Sequence, residues 1–405
     1  MIRCAEPREV AIQWQSRRFY PDLYGGLEVQ GWELARVWRQ LGRHVSVITE
    51  NYPDGPFRMD TLPDGIPCLR ISPVRRAWPW SSLPWLRTLH WARFQRRLAQ
   101  PHQVVIASYP ECVIASRLAC PRRPVIYNCV AVSAALAAAG VVPRPGGPQQ
   151  ALERLAPVLA DRVTVTSRMV KRQLLDLVNL PPGKIHVLPN GVDFDRSSRA
   201  RPDGDLLELR SRGFFVPIYI GRLSVEKGVD LALRAVARMA HRARTRFIIV
   251  GEGPHEPALR RLARQLDLTR NVVFLGKLDH PEGRLAAADA LVLPSRYESF
   301  GIVLLEAMAA GVPTLTWRTD YPRAPVACSE IIVEGRTGLC ADAFDIDDLA
   351  RKLDFLAERP DLRRRFGQAG RAHCRNNYSW VARATGFLNL IQTGEPISQT
   401  CPVSR

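Results

Sequence analysis

Residues 290–311 read ALVLPSRYESFGIVLLEAMAAG. The apolar run Ala290 to Leu293 has the length and composition of a strand buried on both faces. Pro294 to Gly301 breaks the run. Ile302 to Ala310 is apolar on every side except at Glu306, and it stops at Gly311 as helices do. Strand, short loop and helix in this order form one step of an α/β winding. The loop sets the amides of Phe300 and Gly301 at a helix N-terminus, where unpaired N–H groups favour negative charge. Glu298 falls in the loop, and Glu306 about two turns into the helix. A carboxylate on so apolar a helix is costly unless partnered. It either meets a local Arg or Lys or accepts hydrogen bonds from ligand hydroxyls.

The same step recurs on both sides of this stretch. Val216 to Ile220 leads into Gly221-Arg222-Leu223-Ser224-Val225-Glu226-Lys227-Gly228, and Phe247 to Val250 into Gly251-Glu252-Gly253-Pro254. Val272 to Leu275 and Thr314 to Trp317 complete the strands of this half. Earlier, Val10 to Trp14 precedes Gly25-Gly26 and a helix expected from Leu27 to Leu41, with Leu27, Leu34, Val37 and Leu41 on one face; His44 to Thr49 returns as a strand. Val104 to Ser108, Val125 to Cys129, Arg162 to Thr166 and Ile185 to Leu188 follow. Asp195 to Asp205 is polar without periodicity and reads as a linker. The expected organisation is one domain at 1–194, a second at 206–378, a last helix at 379–392 crossing back to the first domain, and a disordered tail at 393–405. Ligands of doubly wound sheets sit at the carboxyl ends of the strands.

The chain has 405 residues, with 57 Lys plus Arg against 39 Asp plus Glu, a net charge of +18 that concentrates anionic partners. Its first ten residues, MIRCAEPREV, have no apolar run. Its longest weakly polar stretch, Cys129 to Val142, is short of the roughly 20 residues a membrane span requires. These features predict a cytoplasmic protein. Nine cysteines form no CxxC pair. Asp345-x-Asp347-Asp348 reads as a helix cap, so no metal is expected. Between Asp64 and Glu111 there is no acidic residue, yet Arg70, Arg75, Arg76, Arg87, Arg93, Arg96 and Arg97 stand among Trp78, Trp80, Trp85 and Trp91. That mixture suits an anionic membrane surface; the competing reading packs the tryptophans inside and leaves the arginines solvated. No nucleic-acid-binding motif is present, and no nucleic acid is expected as a partner.

With these motifs in this order, the sequence resembles glycosyltransferase family 4 over nearly all of the chain. Glu298 and Glu306 stand at the ends of its E-x7-E motif, and the segment Gly221 to Gly228, the turn Gly251 to Pro254 and the segment Asn190-Gly191-Val192-Asp193 support the match. The resemblance implies a GT-B fold, two Rossmann-like doubly wound domains facing across a cleft. It also implies a retaining, metal-independent transfer from a nucleotide-diphosphate sugar, with no cofactor. Arg222, Lys227 and Glu298 would be catalytic: Arg222 and Lys227 hold the diphosphate with the Phe300 and Gly301 amides, and Glu298 takes the sugar hydroxyls. Glu306 would bind the ribose, with Gly25, Gly26, Gly253, Leu278 and Ser299 completing the donor set. Many members carry a histidine where this chain has Val125-Ile126-Tyr127-Asn128-Cys129; Asn128 is the sugar contact expected in its place. A saccharide, lipid-linked at the inner membrane face, is the expected acceptor. The alternative is a catalytically impaired member that binds sugar nucleotides or anionic surfaces.

Overall fold

The computed structural model describes residues 10–17, 19, 26–50, 57–71, 84–97, 103–138, 140 and 144–393. They form two compact units: the first is built from residues up to Asn190 together with the helix Trp380–Gln392, the second from Gly191 to Ser379.

The first unit carries β1 (Ala11–Gln15), β2 (Val45–Thr49), β3 (Phe57–Leu62), β4 (Ile66–Ile71), β5 (Gln103–Ala107), β6 (Val125–Cys129), β7 (Arg162–Val165) and β8 (Ile185–Val187). Their order is β3-β4-β2-β1-β5-β6-β7-β8, parallel throughout except for the β3–β4 hairpin. That hairpin was not read from the sequence. FRMDTL is polar and exposed along an edge, without the apolar run of the inner strands, and the turn depends on left-handed Asp64 and Gly65 at φ 63° and 70°. The helix Gly26–Gln40 buries Leu34 and Val37, whereas Leu41 lies past its end and is 42% exposed, where Gly42 turns the chain at φ 75°.

The second unit carries β9 (Pro217–Ile220), β10 (Phe247–Val250), β11 (Val272–Gly276), β12 (Ala290–Leu293), β13 (Thr314–Trp317) and β14 (Gly338–Ala341), ordered β11-β10-β9-β12-β13-β14 and all parallel. Its core runs from Ile218 and Ile249 through Leu291 and Leu315 to Trp317, each almost completely buried. The expected linker is not structureless. Asp193 and Asp203 accept hydrogen bonds from the Arg196 and Leu206 amides, and so cap the helices Phe194–Ser198 and Gly204–Ser211. These short helices owe more to their caps than to apolar periodicity.

Three of the segment's described residues are turned inward. Trp91 is buried and donates to Glu50 at 2.6 Å, and Arg70 pairs with Asp60 at 3.0 Å. Arg87 lies 3.5 Å from Glu50 and 3.6 Å from Glu111. Two buried glutamates at the carboxyl ends of β2 and β5 thus take up cations that the sequence placed on a surface. Trp85, Arg93 and Arg96 remain exposed. Arg75, Arg76, Trp78, Trp80, the Arg97 side chain, Gly25 and residues 394–405 lie outside the described residues.

The helix Trp380–Gln392 packs into the first unit: Trp38 donates from its indole to the Ala384 carbonyl at 3.1 Å and meets Phe387 edge to face at 5.6 Å. The same helix contributes Arg383, 1% exposed, to a buried polar network. Asn128 donates to Gln30 at 2.8 Å and accepts from Thr164 at 3.1 Å and Arg383 at 3.3 Å; Gln30 bonds Asn190 in turn. Burial presses the Arg383 guanidinium down to about 9. Asn128 is 0% exposed, with its side chain engaged by these protein partners. Asn128→Ala would strand this buried cation and is expected to lower the unfolding free energy in urea by about 2–4 kcal/mol while donor affinity stays intact. Lost affinity at unchanged stability would support the sugar-contact role.

Candidate active site

In the second sheet the chain winds from β9 to β10 and β11 on one side, then to β12, β13 and β14 on the other. The loops leaving β9 and β12 diverge at this switch point, where ligands of such sheets bind. Both loops hold the charged residues singled out above.

Three loops lock together by backbone contact. A β-carbon on Gly251 would stand 1.9 Å from the Gly221 carbonyl oxygen, one on Gly253 2.3 Å from that of Leu223, and one on Gly228 2.0 Å from that of Pro294. The Leu223 amide donates to the Glu252 carbonyl, and that of His255 to the Leu223 carbonyl, each at 2.9 Å. The Tyr219 hydroxyl holds the Arg222 carbonyl at 2.9 Å. Across the switch point the Arg296 amide donates to the Glu226 carbonyl at 2.7 Å, and its guanidinium grips both Asp230 oxygens at 2.7 Å. Sequence reasoning missed this brace, because its partners lie 66 positions apart with no motif joining them.

The brace sets Lys227 against Glu298, Nζ to Oε2 at 2.7 Å, with the Ser295 hydroxyl donating to the same oxygen at 3.4 Å. Burial alone would lower the Lys227 ammonium, but the Glu298 carboxylate beside it more than reverses that, and Lys227 titrates above the usual lysine range. Arg222 is 67% exposed and among the described residues pairs with Glu226, at 3.7 Å. The site thus has one fixed cation and one that can swing.

Glu298 is fixed through its backbone, donating to the Pro325 carbonyl at 3.2 Å and accepting from the Ala327 amide at 2.8 Å. Ser299 follows, half-buried. The Phe300 ring is buried edge-on to Tyr378 at 6.2 Å, so what it offers a ligand is its amide. Neither that N–H nor that of Gly301 has an acceptor among the described residues. Gly301, at φ 96°, heads the helix Ile302–Ala310. On that helix Glu306 is half-buried and has no hydrogen bond or ion pair among the described residues. Arg196, whose charge reaches it, pairs with Glu282. Burial first, then the Glu282 charge, raises the Glu306 carboxyl to about 7.

Leu278 lies just past β11, half-buried against the core, with Lys277 exposed beside it. Gly26 and Asn128 belong to the first unit, Gly26 opening the helix Gly26–Gln40. Asp345 caps a helix, accepting from the Asp347 and Asp348 amides at 2.9 Å. No group of three potential metal ligands occurs among the described residues.

The family model for glycosyl transferases group 1 matches residues 209–373, and that for glycosyltransferase family 4 matches residues 24–196. A GDP-mannose-dependent monoacylated alpha-(1-6)-phosphatidylinositol monomannoside mannosyltransferase of Corynebacterium glutamicum is 33% identical over 261 residues, 61% of this chain and 66% of the relative. The first such relatives are matched over 54 to 66% of their length. Among solved structures, sucrose-phosphate synthase of Thermosynechococcus elongatus superimposes with a TM-score of 0.76 at 19% identity, covering 94% of this chain and 98% of that one. HepE of Anabaena, in complex with UDP and glucose, does so with 0.73 at 19% identity, covering 95% and 100%. With one family model on each half and the GT-B fold throughout, this chain belongs to glycosyltransferase family 4.

Proposed function

We propose that the protein transfers a sugar from a nucleotide-diphosphate sugar to a saccharide acceptor, with retention and without a metal. In this proposal the acceptor is lipid-linked and met at the inner membrane face. One observation carries the reading: two cations, Arg222 and Lys227, share the switch point with the Phe300 and Gly301 amides and, on the same helix, Glu306, none of which three has a partner among the described residues. The bond between the anomeric carbon and the diphosphate oxygen breaks, and its electron pair goes to that oxygen. Lys227, Arg222 and the two amides stabilise the new charge, as donors of an oxyanion hole do. The acceptor hydroxyl attacks from the face the diphosphate leaves, and its proton passes to a departing phosphate oxygen. Glu298 Oε2 is taken by Lys227 and Ser295, which leaves Oε1 for the sugar hydroxyls.

Glu306 takes the ribose hydroxyls, with Leu278 beside the base. The Corynebacterium relative, named for a phosphatidylinositol mannoside acceptor, and the Anabaena structure with UDP and glucose support a lipid-linked acceptor and a nucleotide-sugar donor. No helix among the described residues is long and apolar enough to cross a membrane. Membrane contact would therefore have to be made from a surface.

A panel of nucleotide sugars tested by thermal shift in EDTA should find one that stabilises wild type and not Glu306→Ala. Stabilisation that appears only with added divalent metal would remove the metal-free mechanism, and a donor bound without turnover would leave a binding protein.

The Glu306 carboxyl also predicts a pH dependence. It titrates near 7 in the fold against 4.5 for an ordinary glutamate, so between these values the folded chain keeps a proton the unfolded chain has lost. That contribution to stability is whole below the lower value and is lost as pH rises through 7. Glu306→Gln should match wild type near pH 4.5 and exceed it at pH 8 by on the order of 2 kcal/mol, read by urea titration. Because ribose is held by the ionised form, nucleotide affinity should rise from pH 6 to 8 in wild type more than in the variant. Parallel profiles would show that Glu306 does not titrate in this range.

A further inference from the structure

β3 is the outermost strand of the first sheet, paired only with β4. Its Phe57 and Met59, on one face by strand alternation, are 46% and 57% exposed. Phe57 meets Phe94 edge to face at 5.8 Å, which joins the strand to the helix Pro84–Arg97. On that helix Trp85 and Leu89 are 42% and 58% exposed. Helical geometry puts them within about 80° of arc together with the exposed Arg93 and Arg96. By strand alternation Arg58, exposed between Phe57 and Met59, lies on the opposite face of the strand. Arg96 donates to the Leu118 carbonyl at 3.1 Å, bringing a further apolar side chain, 46% exposed, to the border.

We propose that this face, the β3 edge together with the outer stripe of the helix Pro84–Arg97, docks on an anionic bilayer. The proposal rests on the lipid-linked acceptor argued above. Charge complementarity selects the occupant: residues 65–110 hold no acid, and the exposed stripe of the helix sets Arg93 and Arg96 beside Trp85 and Leu89, while the β3 acid Asp60 is paired to Arg70 on the other face of the strand from Phe57 and Met59. Tryptophan with arginine is the pairing that inserts at headgroup depth and attracts anionic lipid. A second copy is a poor occupant, because a two-fold contact would set the arginine rims of two chains of charge +18 against each other. The first turns of the helix lie at the carboxyl edge of the sheet, where Arg87 reaches Glu50 and Glu111. A bilayer on this face would therefore border the edge at which an acceptor would enter.

The test is flotation of the full chain with phosphatidylcholine vesicles, with and without about one third phosphatidylglycerol. Wild type should float with the anionic vesicles, Met59→Asp/Leu89→Asp should bind at least tenfold more weakly, and Arg93 and Arg96 changed to Gln should each cost roughly fivefold. All these variants should keep the wild-type thermal shift with the donor, which shows that they fold. Wild type that ignores anionic vesicles, or an aspartate variant that floats equally well, overturns the proposal. So does a wild-type dimer in gel filtration that the aspartates make monomeric, because the face then belongs to a second copy. Vesicle binding that follows this pattern in a chain that binds no nucleotide sugar would sustain the surface and overturn the transferase reading instead.

Discussion

A β-carbon at Gly228 would lie 2.0 Å from the Pro294 carbonyl oxygen, inside any permitted contact. That close approach, repeated by Gly251 and Gly253 against the β9 loop, is the constraint on which the second unit's site depends. Loops at strand ends are usually the mobile part of such a fold. Here backbone lies directly on backbone, and the loops can take only one relative position. Gly228 also sits at φ 63° and Gly251 at φ 138°, so a side chain at either would be strained as well as crowded. What the glycines fix is the distance between Lys227 on one loop and Glu298 on the other, and the Arg296–Asp230 pair fixes their direction.

The two glutamates of the motif are then placed in opposite electrostatic situations. Glu298 meets a lysine and is neutralised in place, whereas Glu306 meets none and is pushed up to about 7. A half-buried carboxylate without a partner is a standing cost to the fold, and such costs gather where a ligand relieves them. Hydroxyls suit this position better than a cation would. In the proposed ribose site they would give the carboxylate hydrogen bonds without a permanent counter-ion, so that the group would be relieved only while the ligand is bound.

How far the sequence could be read follows from the range of the forces involved. Val125–Cys129, Phe247–Val250, Ala290–Leu293 and Thr314–Trp317 are strands with the bounds their apolar runs suggest, because a strand buried on both faces needs nothing else. β3 and β14 carry no such run. β3 is an exposed edge, and β14 opens with a glycine whose β-carbon would stand 2.3 Å from the Thr314 carbonyl oxygen, a constraint set by the neighbouring strand. In the site, residue types could be read from motifs, but pairings could not. That Lys227 holds Glu298, that Arg196 is taken by Glu282 and that Glu306 is left alone are all decided by chain segments far apart in sequence. The basic segment makes the same point, since its composition says nothing of the two buried glutamates that draw Arg87 and Trp91 inward.

The strand β6 carries this argument to the chemistry. It has no histidine, and its Asn128 is spent on Gln30, Thr164 and Arg383. In the proposed transfer, with no donor from that strand, stabilisation of the departing diphosphate would fall on Arg222, Lys227 and the Phe300 and Gly301 amides. One preorganised donor of this kind is worth about 3–4 kcal/mol in a transition state, so four can carry a large share of a barrier. Their contributions are unequal in kind. Lys227 and the amides are held before any ligand arrives, whereas Arg222, 67% exposed, must first be ordered. In that proposal the fixed groups would set the rate once the donor is bound, and Arg222, ordered only on binding, would act mainly on the affinity with which the diphosphate is taken up.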